Sequence, residues 1–308
     1  MLGYYASQPL PLPALPYEFS IKPGTSLKSM ARQMRQDGVL PDEWRFVWLA
    51  RVLGSTKQIK AGNYELNSEI TPYSLLQMVA KGQVTQQEIS IIEGSTFNQL
   101  LNILNVNSAL SHDTGTLSES EIMRLIGAEG QRAEGLFFPD TYYFANGSSE
   151  LALLKRAYQT MQIHLQEEWA QRDPDLPLQS PYQALILASI VEKETGQDND
   201  RTMVAAVFLN RLRIGMLLQT DPTVIYGMGS KFDGNLRKAD LLADTPYNTY
   251  TRAGLPPTPI ALPGLASLQA ALHPAKTSAL YFVGRGDGSS EFSSSLEQHN
   301  RAVNKYQK

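Results

Sequence analysis

The chain has 308 residues, 42% of them hydrophobic and 19% charged, which suits two globular parts and is too weakly charged for a disordered polyampholyte. A formal net charge of -3 lacks the basic footprint of a nucleic-acid binder. Cysteine is absent and the four histidines (His112, His164, His273, His299) are scattered, which excludes disulfides and cysteine nucleophiles and predicts no metal site.

No apolar run of about 18 residues occurs, so no membrane span is predicted within the chain. Met1 to Ala6 is too short for a signal peptide and reads as the remnant of a longer N terminus. Residues 9–16, PLPLPALP, predict an extended tether rather than packed structure. Alternation over Tyr17 to Ile21 predicts a strand, and Lys22-Pro23-Gly24 a turn. Thr25 or Ser26 caps a helix with Leu27, Met30, Ala31 and Met34 inward, ended by Gly38. A second helix after Pro41-Asp42 is expected to turn Trp44, Val47, Trp48 and Val52 inward, followed by a strand over residues 61–66 and a helix from Thr71-Pro72 to Gly82. Strand, two helices and strand, opening FSIKPGTSLKSMA, resemble a LysM-type glycan-binding module; a plain spacer of the same order is the alternative.

Gln87 to Ile92 predicts a strand, and Ser95 or Thr96 a helix cap. Residues 108–130 are polar with helical patches and suggest no purpose. Gly135 to Phe144, GLFFPDTYYF, is dense in rings suited to core packing or to stacking on sugars. Leu151 to Trp169 predicts an amphipathic helix, with a loop over residues 173–181. The expected organisation is a tether (1–16), a LysM-like module (17–86) and a larger mixed α/β catalytic domain (87–308), an α+β protein.

Residues 180–196, SPYQALILASIVEKETG, carry the chemistry. Ser180 caps, Pro181 suits the first helical position and Gly196 closes the helix. Ala184 to Val191 leave almost no polar face, as in a core helix. Glu192 lies seven residues past Leu185 and four past Ala188, on that buried stripe, while Glu194 lies about 200° around the helix from it. Apolar neighbours and the negative end of the helix are expected to raise the Glu192 pKa, as a glycosidase acid requires. A helix-end ion pair of Glu192 with Arg201 or Arg211 is the structural alternative. No G-x-S-x-G or S-x-x-K string points to serine acyl transfer, and Gly284-Arg285-Gly286-Asp287-Gly288 reads as a turn between strands rather than a phosphate loop.

Four ordered blocks, ILASIVEKETG, VAAVFLNRLRIGMLLQTDPTVIYGMG, YNTYTRAGLPPTPIALPGLASLQAALHPA and LYFVGRGDGSSEFSSSLEQHNRAV, together with GLFFPDTYYF, resemble the MltG (YceG-like) family of membrane-anchored endolytic murein transglycosylases. The resemblance runs from about Phe19 to the C terminus. It places the catalytic glutamate on the first Glu of V-E-K-E, Glu192. It implies a sugar cleft lined by Gln219, Thr220, Asp221 and Tyr226, and by Asn248 and Tyr250, with Tyr247 and Thr249 as alternatives that only pin a loop. It also implies an N-terminal membrane anchor that this chain lacks, peptidoglycan glycan strands as substrate, peptidoglycan synthases as neighbours, and a place on the outer, periplasmic face of the cytoplasmic membrane. A lytic transglycosylase needs one carboxylate and no cofactor, because the C6 hydroxyl of muramic acid replaces water as nucleophile. Two rivals are a hydrolytic muramidase with Asp221 as second carboxylate and a non-catalytic wall-binding scaffold.

Overall fold

The structure, a computed structural model, describes residues 2–13, 17–22, 24–56, 58–66, 69–83 and 86–307. The chain divides into two compact units. One comprises Met1–Ile89, Ala109–Ser111 and Tyr143–Ser148; the other comprises Ser90–Ser108, His112–Tyr142 and Ser149–Lys308. A single break near residue 87 does not anticipate the two short returns into the first unit.

In the first unit, α1 (Leu2–Ser7) precedes β1 (Tyr17–Ile21), α2 (Leu27–Gln36), α3 (Glu43–Val52), β2 (Gly62–Leu66), α4 (Pro72–Lys81) and β3 (Gln86–Ser90). β1 and β2 pair antiparallel, with Phe19 opposite Tyr64 and their rings stacked at 5.2 Å. Ser26 caps α2, whose Leu27, Met30, Ala31 and Met34 are all buried, as their spacing predicts.

Two expectations fail here. The stripe of α3 that faces inward is Glu43, Phe46, Val47, Leu49 and Ala50, whereas Trp44, Trp48 and Val52 are 53%, 57% and 65% exposed. Phe46 and Ala50, four residues apart, fill the core-facing side, which turns Trp44 and Trp48 outward beneath cations: Lys28 Nζ lies 4.9 Å from the Trp44 ring and the Arg51 guanidinium 5.8 Å from that of Trp48. The proline-rich stretch is not an unpacked tether. Tyr5 on α1 and Leu10 are buried in the core of this unit, and the Leu10 N–H donates to the Ile70 carbonyl at 2.8 Å; burying an aromatic ring and a leucine outweighs the extended preference of the prolines. Residues 14–16 and Pro23, part of the expected tether and turn, lie outside the described residues.

The second unit is mostly helical. It contains α5 (Phe97–Asn105), α6 (Glu119–Leu125), α7 (Glu150–Gln171), α8 (Pro181–Glu194), α9 (Asp198–Arg213), α10 (Asp221–Met228), α11 (Lys238–Leu242), α12 (Leu265–Leu272) and α13 (Leu296–Tyr306). The two short returns to the first unit carry β4 (Leu110–Ser111), which pairs with β6 (Ser148–Ser149), and most of β5 (Thr141–Ala145), which pairs with β3. β7 (Tyr281–Gly284) and β8 (Ser290–Ser293) form an antiparallel hairpin, so Arg285 to Gly288 is the expected turn. The stretch without evident purpose, residues 108–130, contains α6 with a reciprocal Ser118–Glu121 capping box, and Thr114, which donates to the buried Glu150. Small sheets among these helices give the expected α+β class. No helix among the described residues is long and apolar enough to cross a membrane.

The core of this unit is α8 packed against α7, α9 and α12. Ser180 caps α8 and Pro181 begins it, and every residue from Ala184 to Val191 is buried. Ser189 is the polar exception. Its hydroxyl donates to the Ile186 carbonyl at 2.7 Å and accepts from the Ile260 N–H at 3.0 Å, so both hydrogen-bonding roles are satisfied inside the core. Glu194 is the last helical residue, Thr195 caps the helix with an extended backbone (φ -146°, ψ 133°), and Gly196 follows the cap.

Candidate active site

A helix that is apolar on all sides can present polar groups only at its ends, and α8 does so in its last turn. Glu192 and Glu194 leave that turn in directions about 200° apart, and their surroundings differ.

Glu192 is half-buried, and its Oε2 accepts a hydrogen bond from the Gly264 N–H at 3.0 Å, at the start of α12. The expected alternative partners are engaged elsewhere: Arg201 pairs with Asp198, and Arg211 donates to the carbonyls of Leu280 and Leu218 at 2.7 and 2.6 Å. The neighbour that Glu192 does have is another acid, Glu93. Residues 94 and 95 bond to Leu262 through the Gly94 N–H (2.9 Å) and the Ser95 carbonyl (2.7 Å), and Lys193 Nζ donates to the Gly94 carbonyl at 3.1 Å. This ladder holds the Glu93 carboxyl so close to Gly264 that a Cβ there would lie 1.8 Å from Glu93 Oε1. Partial burial, then the Glu192 charge, push the Glu93 carboxyl above its usual pKa.

Glu194 faces a different environment. The Thr220 hydroxyl donates to its Oε1. It lines a groove of about 480 Å³ with Arg211, Gln219, Asp221, Tyr250 and Tyr281. Burial raises the Glu194 pKa most, and the Asp221 charge raises it further, against the lowering effects of the Thr220 hydrogen bond and the Arg211 charge. A carboxyl held towards its protonated form, at the wall of a polar groove, has the state and the access that a general acid needs.

The residues predicted to line a sugar cleft divide accordingly. Gln219, Asp221 and Tyr250 gather around Glu194 and not around Glu192. Gln219 takes a left-handed backbone (φ 48°), uncommon for a residue other than glycine, held by its N–H bond to the Thr249 carbonyl at 3.1 Å. Asp221 is the first residue of α10 and accepts from the Tyr250 hydroxyl at 2.5 Å. Thr220 is only 2% exposed, with its N–H on Thr249 Oγ1 and its hydroxyl on Glu194, so it positions the carboxyl instead of lining the groove.

Asn248 and Tyr226 do not meet the expectation of sugar contact. Asn248 is 1% exposed, and its amide is spent on the carbonyls of Leu241 (3.0 Å) and Ala243 (2.7 Å) and on the Tyr250 N–H (2.8 Å). It shapes the loop that carries Tyr250. The Tyr226 hydroxyl donates to Glu134 at 3.0 Å, and its ring packs edge-on against Tyr247 at 4.9 Å. Thr249 bonds to Thr220 and Thr223, and the Tyr247 hydroxyl to Thr258, which fits the loop-pinning alternative.

Glu134 itself was not anticipated. It is buried, accepts from the Phe97 N–H at 2.9 Å, and burial pushes its pKa up to about 7 despite those donors. No group of three or more histidine, aspartate or glutamate side chains suited to a metal occurs among the described residues.

The YceG-like family profile matches residues 19–305. The chain belongs to the YceG-like family. An endolytic murein transglycosylase of Bacillus subtilis (strain 168) is 30% identical over 316 residues, covering 93% of this chain and 84% of that protein. A protein of the same name from Streptococcus pneumoniae (strain D39) is 26% identical over 319 residues, covering 92% of this chain and 57% of that longer protein. Among solved structures, a putative YceG-like protein of Listeria monocytogenes superposes with a TM-score of 0.58 at 27% identity, covering 93% of this chain and 98% of that one. The groove around Glu194 is therefore a feature of a YceG-like protein whose named relatives act on murein.

Proposed function

We propose that this YceG-like protein is an endolytic lytic transglycosylase of murein, with Glu194 as its single general acid/base. The observation that carries the assignment is the groove: Glu194 lies beside Gln219, Asp221 and Tyr250, and its surroundings favour the protonated carboxyl. Family resemblance alone points to Glu192, but that carboxylate is bound to a helix start and faces none of those residues among its hydrogen bonds.

In the reaction, protonated Glu194 gives its proton to the oxygen between N-acetylmuramic acid and N-acetylglucosamine, and the glycosidic C–O bond breaks. The resulting carboxylate takes the proton of the muramic C6 hydroxyl as that oxygen bonds to C1. A 1,6-anhydro end forms, Glu194 is again protonated, and no water is consumed. Thr220 fixes the carboxyl throughout by its hydroxyl bond.

One observation favours a second reading, hydrolysis. Asp221 shares the groove with Glu194 and supplies the second carboxylate that a muramidase requires. Digestion of purified peptidoglycan with products weighed separates the two. Anhydro muramic ends, lighter by one water and resistant to borohydride, are expected; reducible full-mass ends as the main product would promote Asp221 to second catalyst. Undiminished cleavage by Glu194→Gln would assign the acid to another carboxyl, and an unaltered chain that binds peptidoglycan without cleaving it would leave a wall-binding scaffold.

Two finer proposals accompany this reading. The β1-α2-α3-β2 order with its antiparallel pair supports a LysM-like, glycan-binding role for the first unit, tested by whether the chain without residues 1–81 sediments less with insoluble peptidoglycan. Nascent glycan as substrate places the groove on the outer face of the cytoplasmic membrane, near peptidoglycan synthases, which fractionation and crosslinking of the native protein would test.

A further inference from the structure

His299, on α13, lines the same groove as Glu194, Asp221 and Tyr250. Its ring stacks on Tyr281 at 5.3 Å and 24°, and the Arg211 guanidinium lies 5.5 Å from that tyrosine ring. Its Nδ1 is buried and has no hydrogen-bond partner among the described residues. Burial, then the Arg211 charge, hold the imidazole below its usual pKa, so the ring is neutral at neutral pH.

A neutral imidazole has one N–H and one bare nitrogen. A hydrogen on Nδ1 would be a buried donor without an acceptor, which costs the desolvation of that group. As a bare nitrogen it is a buried acceptor without a donor, so Nδ1 is unpaired in either tautomer, and the Nε2–H form is the one taken below. Nε2 is not among the buried atoms lacking a partner, and no protein acceptor binds it among the described residues.

We propose that His299 is a substrate-binding residue of this groove, its Nε2–H donating to the acetamido carbonyl oxygen of an N-acetylated amino sugar. The acceptor is a neutral carbonyl because Asp221 shares the groove and disfavours an anionic ligand group at this place. Tyr281 backs the imidazole and fixes its plane, so the donor is preorganised. The inference rests on the murein reading and extends it to a recognition contact on the wall built by β7 and α13.

Four full-chain proteins test it: unaltered, His299→Ala, His299→Asn and His299→Gln, each also in a Glu194→Gln background for binding. The probe is soluble, uncrosslinked glycan strands, titrated calorimetrically, with KM and kcat measured in the active forms. The Ala and Asn variants should bind about fivefold to tenfold more weakly, with KM rising and kcat within about threefold. Gln places an amide N–H near the Nε2 position and should stay within about twofold. Nitrogen NMR of the free protein should report the Nε2–H tautomer, and added strands should shift Nε2 and leave Nδ1. On chemically de-N-acetylated strands the unaltered and Ala proteins should bind alike, because the acceptor is gone.

Equal affinity of all four proteins for N-acetylated strands overturns this inference and leaves the murein reading standing. An Nδ1–H tautomer, or a loss on His299→Ala that persists undiminished on de-N-acetylated strands, also overturns it. Failure of the unaltered chain to bind or cleave the strands overturns the murein reading and this contact with it.

Discussion

The two sides of the last turn of α8 carry the same functional group in opposite circumstances. On one side Glu192 receives a backbone N–H from Gly264 and has Glu93 as its neighbour, outside the polar groove. On the other, Glu194 is held by the Thr220 hydroxyl beside Asp221 and Tyr250, and burial favours its neutral form. Glu192 has an oxygen committed to the main chain at the start of α12. A carboxyl that loses solvation next to another negative charge is ready to give a proton. Two residues of separation decide which kind of carboxylate the helix offers to a substrate.

The largest expected effect breaks or upholds that contrast directly. Glu194→Gln should lower turnover on peptidoglycan by about 1,000-fold or more, since general acid/base catalysis is typically worth 100- to 10,000-fold. Glu192→Gln should stay within about threefold, with melting temperatures reported for both variants. The reverse pattern, with Glu192→Gln inactive and Glu194→Gln active, would return the catalytic role to the Gly264 side.

The next pair sharpens the electrostatics by moving the pH profile in opposite directions. Glu194 must be protonated to act, so activity falls as pH rises through its pKa. Asp221 raises that pKa by its charge, and Asp221→Asn should move the high-pH limb of kcat to lower pH. Thr220 lowers the pKa by bonding to the carboxylate, and Thr220→Val should move the same limb to higher pH. Asp221→Asn should still release anhydro ends. Parallel shifts in the two variants would show that the limb does not belong to Glu194.

Much of this was legible in the residues. The cap at Ser180, the proline at 181 and the unbroken apolar run to Val191 state a buried helix, because each local preference agrees with the others. The groove residues Gln219, Asp221 and Tyr250 were legible through resemblance. The contrast between the surroundings of Glu192 and Glu194 was not. Extending the stripe from Leu185 assumes that burial continues to the helix end, yet what surrounds a last turn is set by segments distant in sequence, here Gly264 for one acid and Thr220 for the other. A similar limit misplaced Trp44 and Trp48, since size and hydrophobicity alone favoured burial while Phe46 and Ala50 occupy the inward face. Asn248 carries sugar-binding chemistry in its amide, and only the fold shows that this amide is consumed by neighbouring carbonyls.

The smallest expected effect tests whether the Gly264 side is as inert as its geometry implies. Gly264 has an ordinary φ of -76°, so an alanine there brings no backbone strain. Its new Cβ would lie 1.8 Å from Glu93 Oε1 and 2.4 Å from Glu93 Cδ, a contact that cannot stand. The obstructing atoms are the far end of an exposed, flexible side chain, so the Glu93 carboxyl can rotate into solvent without moving the main chain. The Gly264 N–H is kept by alanine, and with it the bond to Glu192. Gly264→Ala should therefore cost under about 1 kcal/mol, lower the melting temperature by no more than about 3 °C, and leave cleavage of peptidoglycan within about twofold. Relief of the Glu192–Glu93 proximity should also let the Glu93 pKa fall towards its usual range, which carboxyl NMR can follow. A collapse of activity in a folded Gly264→Ala protein would mean that the Glu93–Glu192 pair takes part in the chemistry, and the contrast between the two sides of the turn would no longer hold.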